Sequence, residues 1–392
     1  TLSGNLTQSG NIAIGVAEGK TLSYSGAAVN LGAYTLTMNG KGTFGNTNAL
    51  VLNNASSKLL LSNTGTVGRV STSLASSGLD VNESSTVNNL IVGHTTPVSI
   101  AAGKTLSGGI TVTDGSIKLG ETGTLASTVS MSGGTLDADE SLTLSGNLTQ
   151  SGNITIDVAE NKTLGYSGAA VNLGAKTLIM TSDGNGTFNN TNALVLNNAS
   201  SKLLLANTTT VSRVSTSANN SGVDVDQNST ITSLAVGHTT PVSIADGKTL
   251  SGAVTVTGGS IKLGETGTLA SAVSMSGGTL DADESLTLSG NLTQTGDMEI
   301  HVAQDKTLDY SGAAVNIGAN KLTKNGKGTF NNTNALVLNN PSSKLFLGNE
   351  TTVNSVSTSS NSLGVDVNDS STITSLAVGH TTPISIADGK TL

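Results

Sequence analysis

The sequence contains no cysteine, few aromatic residues and only four prolines. The absence of cysteine excludes disulfide bridges and thiolate metal sites, and it fits an exported bacterial surface protein. The scarcity of proline leaves β-ladders nearly uninterrupted. No apolar run approaches the ~20 residues that a membrane-spanning helix needs, so we expect no membrane span in this segment.

Charge is also scarce, since charged residues make up 11% of the chain and its net charge is −8. Proteins that bind nucleic acids need a basic surface, so we expect no nucleic-acid partner. Hydrophobic residues make up 35% of the chain, mostly as short aliphatic phrases. Disordered chains combine low hydrophobicity with high net charge, and this composition therefore favours an ordered structure.

What the sequence does contain is recurrence at about 143 residues. The phrase Thr-Leu-Ser-Gly-Asn-Leu-Thr-Gln occurs at residues 1–8, 143–150 and 287–294, and Gly-His-Thr-Thr-Pro occurs at residues 93–97, 237–241 and 379–383. The predicted repeat units, which we call blocks, are therefore residues 1–142, 143–286 and a truncated 287–392. We expect one continuous solenoid, cut from a longer array, because such folds grow by adding repeats.

Comparison of three aligned segments predicts β-strands. The segments beginning at Ile12, Ile154 and Met298 keep every second position apolar, whereas the positions between them vary. A strand turns alternate side chains to opposite faces, so one face packs in the interior and the other is exposed to solvent. Gly, Asn-Asn and Asp-Gly interrupt similar phrases every four to seven residues, as turns require.

The predicted fold is all-β: an elongated parallel β-helix, or β-solenoid, built of tandem repeats of about 143 residues. A sandwich or barrel is the alternative for short strands, but it needs larger, more aromatic cores and cannot extend indefinitely. If turns hold about twenty residues, as they commonly do in known β-helices, a repeat would have about seven turns; with strands ~4.8 Å apart it would advance ~33 Å, and the chain ~90 Å. Asparagine pairs at turns predict amide ladders along the axis, at residues 53–54, 197–198 and 339–340.

Phrases such as Ser-Gly-Gly-Thr-Leu at residues 276–280 and Gly-Lys-Thr-Leu-Ser-Gly at residues 247–252 resemble those of large bacterial adhesins with β-helical stalks. These are autotransporter passengers and filamentous-haemagglutinin-like exoproteins. The resemblance implies a coil of about twenty residues per turn, for which we expect a right-handed sense. It also implies an extracellular or bacterial cell-surface location and a role in attachment or in fibres.

The predicted function is that of a structural, non-catalytic, rod-like segment, a stalk or spacer of an adhesin. One alternative is a section of a self-assembling extracellular fibre or sheath, and another is a polysaccharide-degrading β-helix enzyme. The expected partners are neighbouring repeats, other copies of the chain and, through other domains, host or surface glycans and proteins.

Histidine offers no clear site in the sequence. His94, His238 and His380 recur once per block, too far apart to share a metal, and are predicted to lie in a turn before a strand that begins near proline. His301 occurs in one block only and is interpreted as drift at an outward position.

Acidic clusters suggest calcium, because carboxylates and backbone oxygens are its ligands. Asp-Ala-Asp-Glu occurs at residues 137–140 and 281–284, and Asp224 and Asp226 are predicted to share an outward face. Asn82 and Asn368 replace the second aspartate in the sister blocks, and no known calcium loop is present. These clusters are therefore interpreted as solvated acidic faces, with a calcium site as the alternative, and we predict no metal ligand and no cofactor.

Catalytic motifs are equally lacking, so we predict no catalytic residues. Arg69 and Arg213 are the only arginines, and Ser355 occupies the third equivalent position. Lys41 and Lys327 lie in Asn-Gly-Lys-Gly turns without the Ser or Thr that a phosphate loop needs.

The remaining features are predicted to be structural. Thr-x-Thr phrases are too scattered for an ice-binding array, and one Tyr and one Phe per block are expected to fill the interior or cap a loop. Asn-x-Ser/Thr sequons arise by composition. Loops are expected at the most variable stretches, which are residues 74–77, 218–221 and 360–363, and at the insertion near Ser182 and Asp183.

Overall fold

The computed structural model describes all residues, 1–392, and its secondary structure consists of parallel β-strands without helices. The chain forms a β-solenoid of about 19 turns, as the sequence predicted. None of its elements is a helix that could cross a membrane. By its internal contacts the chain divides into two compact units, residues 1–194 with 208–212 and residues 195–207 with 213–392.

The strands in the first half of the chain are β1 (Ile12–Ile14), β2 (Thr21–Tyr24), β3 (Val29–Asn30), β4 (Thr35–Met38), β5 (Thr43–Asn46), β6 (Leu50–Leu52), β7 (Lys58–Leu61), β8 (Thr66–Thr72), β9 (Gly78–Val81), β10 (Ser85–Val92), β11 (Thr96–Ile100), β12 (Thr105–Val112), β13 (Ser116–Gly120), β14 (Thr124–Leu125), β15 (Thr128–Met131), β16 (Thr135–Ala138), β17 (Leu142–Leu144), β18 (Leu148–Gln150), β19 (Ile154–Val158), β20 (Thr163–Tyr166), β21 (Val171–Asn172), β22 (Thr177–Thr181) and β23 (Gly186–Asn190).

The second half contributes β24 (Leu194–Leu196), β25 (Lys202–Leu205), β26 (Thr209–Thr216), β27 (Gly222–Val225), β28 (Ser229–Val236), β29 (Thr240–Ile244), β30 (Thr249–Val256), β31 (Ser260–Gly264), β32 (Thr268–Leu269), β33 (Ala272–Met275), β34 (Thr279–Ala282), β35 (Leu286–Leu288), β36 (Leu292–Gln294), β37 (Met298–Val302), β38 (Thr307–Tyr310), β39 (Val315–Asn316), β40 (Lys321–Asn325), β41 (Thr329–Asn332), β42 (Leu336–Leu338), β43 (Lys344–Leu347), β44 (Thr352–Thr358), β45 (Gly364–Val367), β46 (Thr372–Ala377) and β47 (Ile384–Ile386).

One strand of each turn lies on a face that we call face 1. In the first unit its parallel ladder runs β1–β4–β7–β9–β11–β13–β16–β19–β22. In the second unit it runs β25–β27–β29–β31–β34–β37–β40–β43–β45–β47. The rest of each turn contributes one long strand, or two short ones, to face 2. The long strand β12, for example, pairs with both β14 and β15.

Successive turns are about 20 residues apart, which confirms the expected turn length. The prediction that the fold is built of units of about 143 residues is not supported, because the structural unit that repeats is the single turn. Sequence recurrence therefore marks similar residues on similar turns, and each turn pairs with its neighbours in the same way. The division into residues 1–142, 143–286 and 287–392 and the right-handed sense of the coil stay predictions.

Alternating burial confirms the predicted strand pattern. In β19, Ile154, Ile156 and Val158 are buried, whereas Thr155 and Asp157 between them are partly exposed. Burial of one aliphatic side chain contributes roughly 1.5–3 kcal/mol. Because almost every turn adds several such side chains to an interior of Leu, Val and Ile, each turn is stabilised mainly by packing on the next.

Each block also buries an aromatic pair. The rings of Tyr166 and Phe188 stack with centroids 5.8 Å apart, on neighbouring strands β20 and β23. Equivalent stacks join Tyr24 to Phe44 and Tyr310 to Phe330. All six rings are buried, which confirms the interior position expected for one Tyr and one Phe per block.

The predicted loops are short corner connections. Residues 73–77 join β8 to β9, and the exposed Leu74 shows that this stretch lies at the surface. The two-residue insertion also falls between strands, β22 and β23, where Asp183 is exposed. Ser182 is buried there, and its Oγ accepts a hydrogen bond from the Gly186 amide at 2.8 Å.

The asparagine pairs bond to backbone groups, which differs from the expected amide ladders. Asn53 Oδ1 accepts a hydrogen bond from the Gly32 amide of the preceding turn at 2.8 Å, and Asn339 does the same for Gly318. Each asparagine thus satisfies a backbone donor at a corner, where no ladder partner exists.

Candidate functional site: charged columns on face 1

Charged side chains lie beside one another on neighbouring strands of face 1. Lys118 on β13, Asp137 on β16 and Asp157 on β19 occupy register positions directly beside one another, and we call them the first column. Parallel strands lie about 4.8 Å apart, so side chains in one column meet. The predicted acidic cluster at residues 137–140 is therefore part of a mixed column, paired with a lysine from the preceding turn.

An ion pair organises the first column. Lys118 Nζ lies 2.8 Å from Asp137 Oδ2, and this hydrogen bond raises the pKa of Lys118 above its ordinary value. Burial raises the pKa of the Asp157 carboxyl, and a hydrogen bond from Thr181 partly opposes that rise. Burial likewise raises the pKa of Asp139, two residues beyond Asp137. The column therefore holds more carboxylate than its one lysine neutralises.

The second column, in the second unit, consists of Lys262 on β31, Asp281 on β34 and His301 on β37. Asp281 bonds in two directions: its Oδ2 lies 3.3 Å from Lys262 Nζ, and its Oδ1 lies 2.7 Å from His301 Nδ1. Asp283, just past β34, also faces this group, with Oδ2 4.0 Å from the same lysine nitrogen. The hydrogen bond to Asp281 is the main reason that the pKa of Lys262 is raised.

The two columns differ at their third position. An imidazole in the second column replaces the carboxylate of Asp157 in the first. One donor atom each from Asp281, Asp283 and His301 lies within 4.8 Å of the others. Sequence reasoning treated His301 as drift, because it compared this residue only with residues about 143 positions away. The turn length of about 20 residues was the signal that places His301 beside Asp281.

The other acidic candidate, at Asp224, is an ion pair with Lys202 of the preceding turn. The sister pairs are Asp80 with Lys58 and Asp366 with Lys344. Asp226 lies past the end of β27 and is exposed. Partly exposed pairs of this kind contribute about 0–1 kcal/mol each, so they add little to the stability of the ladder.

The structure does not bring together the remaining residues that the sequence offered as candidates for a functional site. His94, His238 and His380 are exposed and lie in the bend just before a strand or its equivalent, as expected. Arg69 is exposed, and Lys41 is an exposed turn residue. None of these side chains converges with a second candidate group, so they form no common site.

Threonine side chains are aligned along the solenoid more regularly than the sequence suggested. The scattered Thr-x-Thr phrases do not align, but single threonines stack on consecutive strands of face 2. One such column comprises Thr21, Thr43, Thr66 and Thr86, and another comprises Thr307, Thr329, Thr352 and Thr372. Each column is one residue wide, so it offers a narrow polar stripe and not a flat array.

A buried lysine is the other feature that sequence reasoning missed. Lys324 on β40 is fully buried in the solenoid interior, and burial lowers its pKa to about 7. The equivalent residues of the other blocks are Met38 and Met180, which are also buried. Its alternation with Leu322, two residues earlier on the same strand, indicated an inward position.

No family model matches this chain, and comparison with curated proteins and with solved structures gave no match. The resemblance to bacterial adhesins therefore rests on the sequence phrases alone, and what it implies for function is a proposal.

Proposed function

We propose that this chain is a structural, non-catalytic segment, a rod-like spacer in a large extracellular or cell-surface protein of a bacterium. In this proposal the segment acts as a stalk, and attachment to glycans or proteins belongs to other domains. Its physical contribution is length, which comes from repeating one small turn that packs on the next.

One observation carries the proposal: within each unit, every turn on face 1 pairs in parallel with the turn before it and the turn after it. Leu136 on β16, for example, lies in register between Ile117 on β13 and Ile156 on β19, and all three are buried. A ladder of this kind has no closed core, so its length grows with the number of turns.

The outward positions also support a spacer. They carry Ser, Thr, Asn and Lys–Asp pairs, and although the Lys–Asp pairs recur, other outward positions vary between blocks, as the position of Ala13, Thr155 and Glu299 does. A conserved contact patch would favour a self-assembling fibre, whereas varied polar positions favour a chain that stays single. The acidic net charge further opposes lateral association of like chains.

Small-angle scattering and sedimentation test the proposal together. About 19 turns at ~4.8 Å predict a rod ~90 Å long, whereas a compact domain of 392 residues has a radius of gyration near 21 Å. We expect a monomer with a maximum dimension near the rod value. A compact particle would refute the spacer, and concentration-dependent growth into polymers would favour a fibre or sheath.

Catalysis is tested separately with the same protein. We expect no release of reducing or unsaturated ends when the chain is incubated with acidic and neutral polysaccharides. Cleavage of any of them would overturn the non-catalytic part of the proposal and leave the rod dimensions unaffected.

A further inference from the structure

We propose that Asp281, Asp283 and His301 form a binding site for one divalent transition-metal ion of the zinc type. The site lies on the outer side of face 1, away from the aliphatic interior. It goes beyond the spacer role, which requires no metal.

The backbone already places the three donors. Asp281 on β34 and His301 on β37 are register partners on adjacent parallel strands, so the spacing of the strands sets their separation. Asp283 lies in the bend just past β34, where its amide donates a hydrogen bond to the Leu263 carbonyl oxygen at 3.1 Å, and its Oδ2 lies on the same side as Asp281, 4.0 Å from Lys262 Nζ. Because paired strands hold the Cα atoms of Asp281 and His301, and a backbone hydrogen bond holds that of Asp283, we expect side-chain rotations to suffice to close the donors on an ion.

The distances suit a small ion. Zinc binds nitrogen at ~2.0–2.1 Å and carboxylate oxygen at ~2.0–2.2 Å, which puts tetrahedral ligand atoms roughly 3.4 Å apart. In the structure His301 Nδ1 and Asp281 Oδ1 are 2.7 Å apart, and all three donor atoms lie within 4.8 Å of one another. An ion would replace the hydrogen bond between the first two atoms and draw the third inward.

The donor types select the class of ion. Calcium and magnesium prefer oxygen ligands only, whereas an imidazole with carboxylates suits zinc and its neighbours in the first transition series. Three protein donors leave one position of a tetrahedral ion for water or another ligand. Asp281 is 9% exposed, so one carboxylate of the site is already withdrawn from bulk solvent.

Lys262 is the internal competitor of the metal. Its Nζ contacts both aspartates, at 3.3 and 4.0 Å, and supplies the positive charge that an ion would supply. Binding must displace this ammonium, which is 42% exposed and can turn toward water. We therefore expect Lys262→Gln to bind zinc more tightly than the wild-type chain does.

The first column provides a matched control within the same chain. Lys118, Asp137 and Asp139 repeat Lys262, Asp281 and Asp283, but the third position holds the carboxylate Asp157. His301→Asp converts the second column to this pattern, and Asp157→His converts the first column to the proposed site. Both substitutions fall at partly exposed positions on a strand, where the fold tolerates either residue in one copy or the other.

The experiment is calorimetric titration of Zn²⁺ into the full chain at neutral pH, with circular dichroism to verify that each variant is folded. We expect one ion per chain for wild type, a loss of tenfold or more in affinity for His301→Asp, and a second ion for Asp157→His. His238→Gln, which removes an exposed histidine elsewhere, should bind as wild type does.

Three results would overturn the proposal. These are no binding at millimolar zinc, equal binding by wild type and His301→Asp, and a loss of binding in His238→Gln equal to that in His301→Asp. The last two would assign any bound zinc to exposed side chains outside the second column.

Discussion

Lys324 Nζ donates a hydrogen bond to Thr351 Oγ1 at 2.6 Å inside a solenoid whose interior consists mainly of apolar side chains. The same ammonium donates to the Asn325 carbonyl oxygen at 2.7 Å, so its protons have polar partners although its stem is fully buried. Burial lowers the pKa of Lys324 to about 7, and the charge of Glu299 opposes that decrease. The third block thus has a lysine with a pKa near neutrality at the position where the other two blocks have the buried methionines Met38 and Met180.

We predict that Lys324→Met stabilises the chain below pH 7, by roughly 2–5 kcal/mol in the free energy of unfolding. Both states of the wild type are protonated there, and the folded state bears the cost of the buried charge. Between the folded pKa of about 7 and the ordinary 10.5, only the unfolded chain keeps the proton. Wild-type stability should therefore rise with pH across this window, and the advantage of the variant should shrink.

Urea unfolding at pH 6.5 and pH 10 measures this difference. The matched control is Met180→Lys, which places a lysine at the equivalent buried position of the second block and should lower stability most at the acidic pH. A Lys324→Met variant that is less stable than wild type at pH 6.5 would contradict the prediction, because its hydrogen bonds would then outweigh the buried charge.

A bend in face 2 depends on glycine. In β30, Gly252 has φ +117, and a Cβ added there would lie 1.9 Å from the Ile231 carbonyl oxygen of the neighbouring strand. The register between β28 and β30 shifts just beyond this pair, as in a β-bulge. We predict that Gly252→Ala lowers the free energy of unfolding by about 2–5 kcal/mol, through backbone strain and steric overlap.

Thermal unfolding of Gly252→Ala beside Gly10→Ala tests the bend. Gly10 has no atom within 4 Å of an added Cβ, so its substitution should change stability by less than about 1 kcal/mol. Equal effects of the two substitutions would show that the bend tolerates a side chain.

Sequence predicted the solenoid because its two signals are local: alternation of apolar residues, as in β19, and turn residues at regular intervals. The contents of face 1 were not predicted, since Asp281 and His301 become neighbours only when the turn length is known to the residue. Lys324 was missed because a single charged residue on an inward position contradicts the pattern that identifies strands. The hydrogen bonds that make its burial tolerable go to Thr351, 27 residues away in sequence, and to the Asn325 carbonyl oxygen, and neither can be read from the strand pattern.

In each block a tyrosine hydroxyl links a backbone amide to a backbone carbonyl oxygen between strands. Tyr166 Oη accepts a hydrogen bond from the Leu148 amide at 3.1 Å and donates one to the Ala169 carbonyl oxygen at 2.5 Å. Tyr166→Phe leaves both backbone groups without this partner, so we predict a loss of about 1–3 kcal/mol. Tyr34→Phe is the control, because Tyr34 is 36% exposed, and chemical denaturation of both variants should show a loss only for Tyr166→Phe.

The repeating ladder predicts that whole turns can be removed without loss of the fold. Deletion of residues 143–286 joins Leu142 to Thr287 and recreates the native Leu286–Thr287 junction, with the same residues on both sides. The deletion removes about seven turns, so the maximum dimension from small-angle scattering should fall by ~34 Å at ~4.8 Å per turn. The strand signal in circular dichroism should persist at the same strength per residue.

A control deletion of residues 143–276 joins Leu142 to Gly277, about half a turn out of register, and should bring polar side chains into the interior. We expect that control to aggregate or unfold, because a register error exposes the aliphatic face of every strand near the junction. If both deletions fold equally well, or if the in-register deletion unfolds, the packing of turn on turn does not by itself sustain the solenoid.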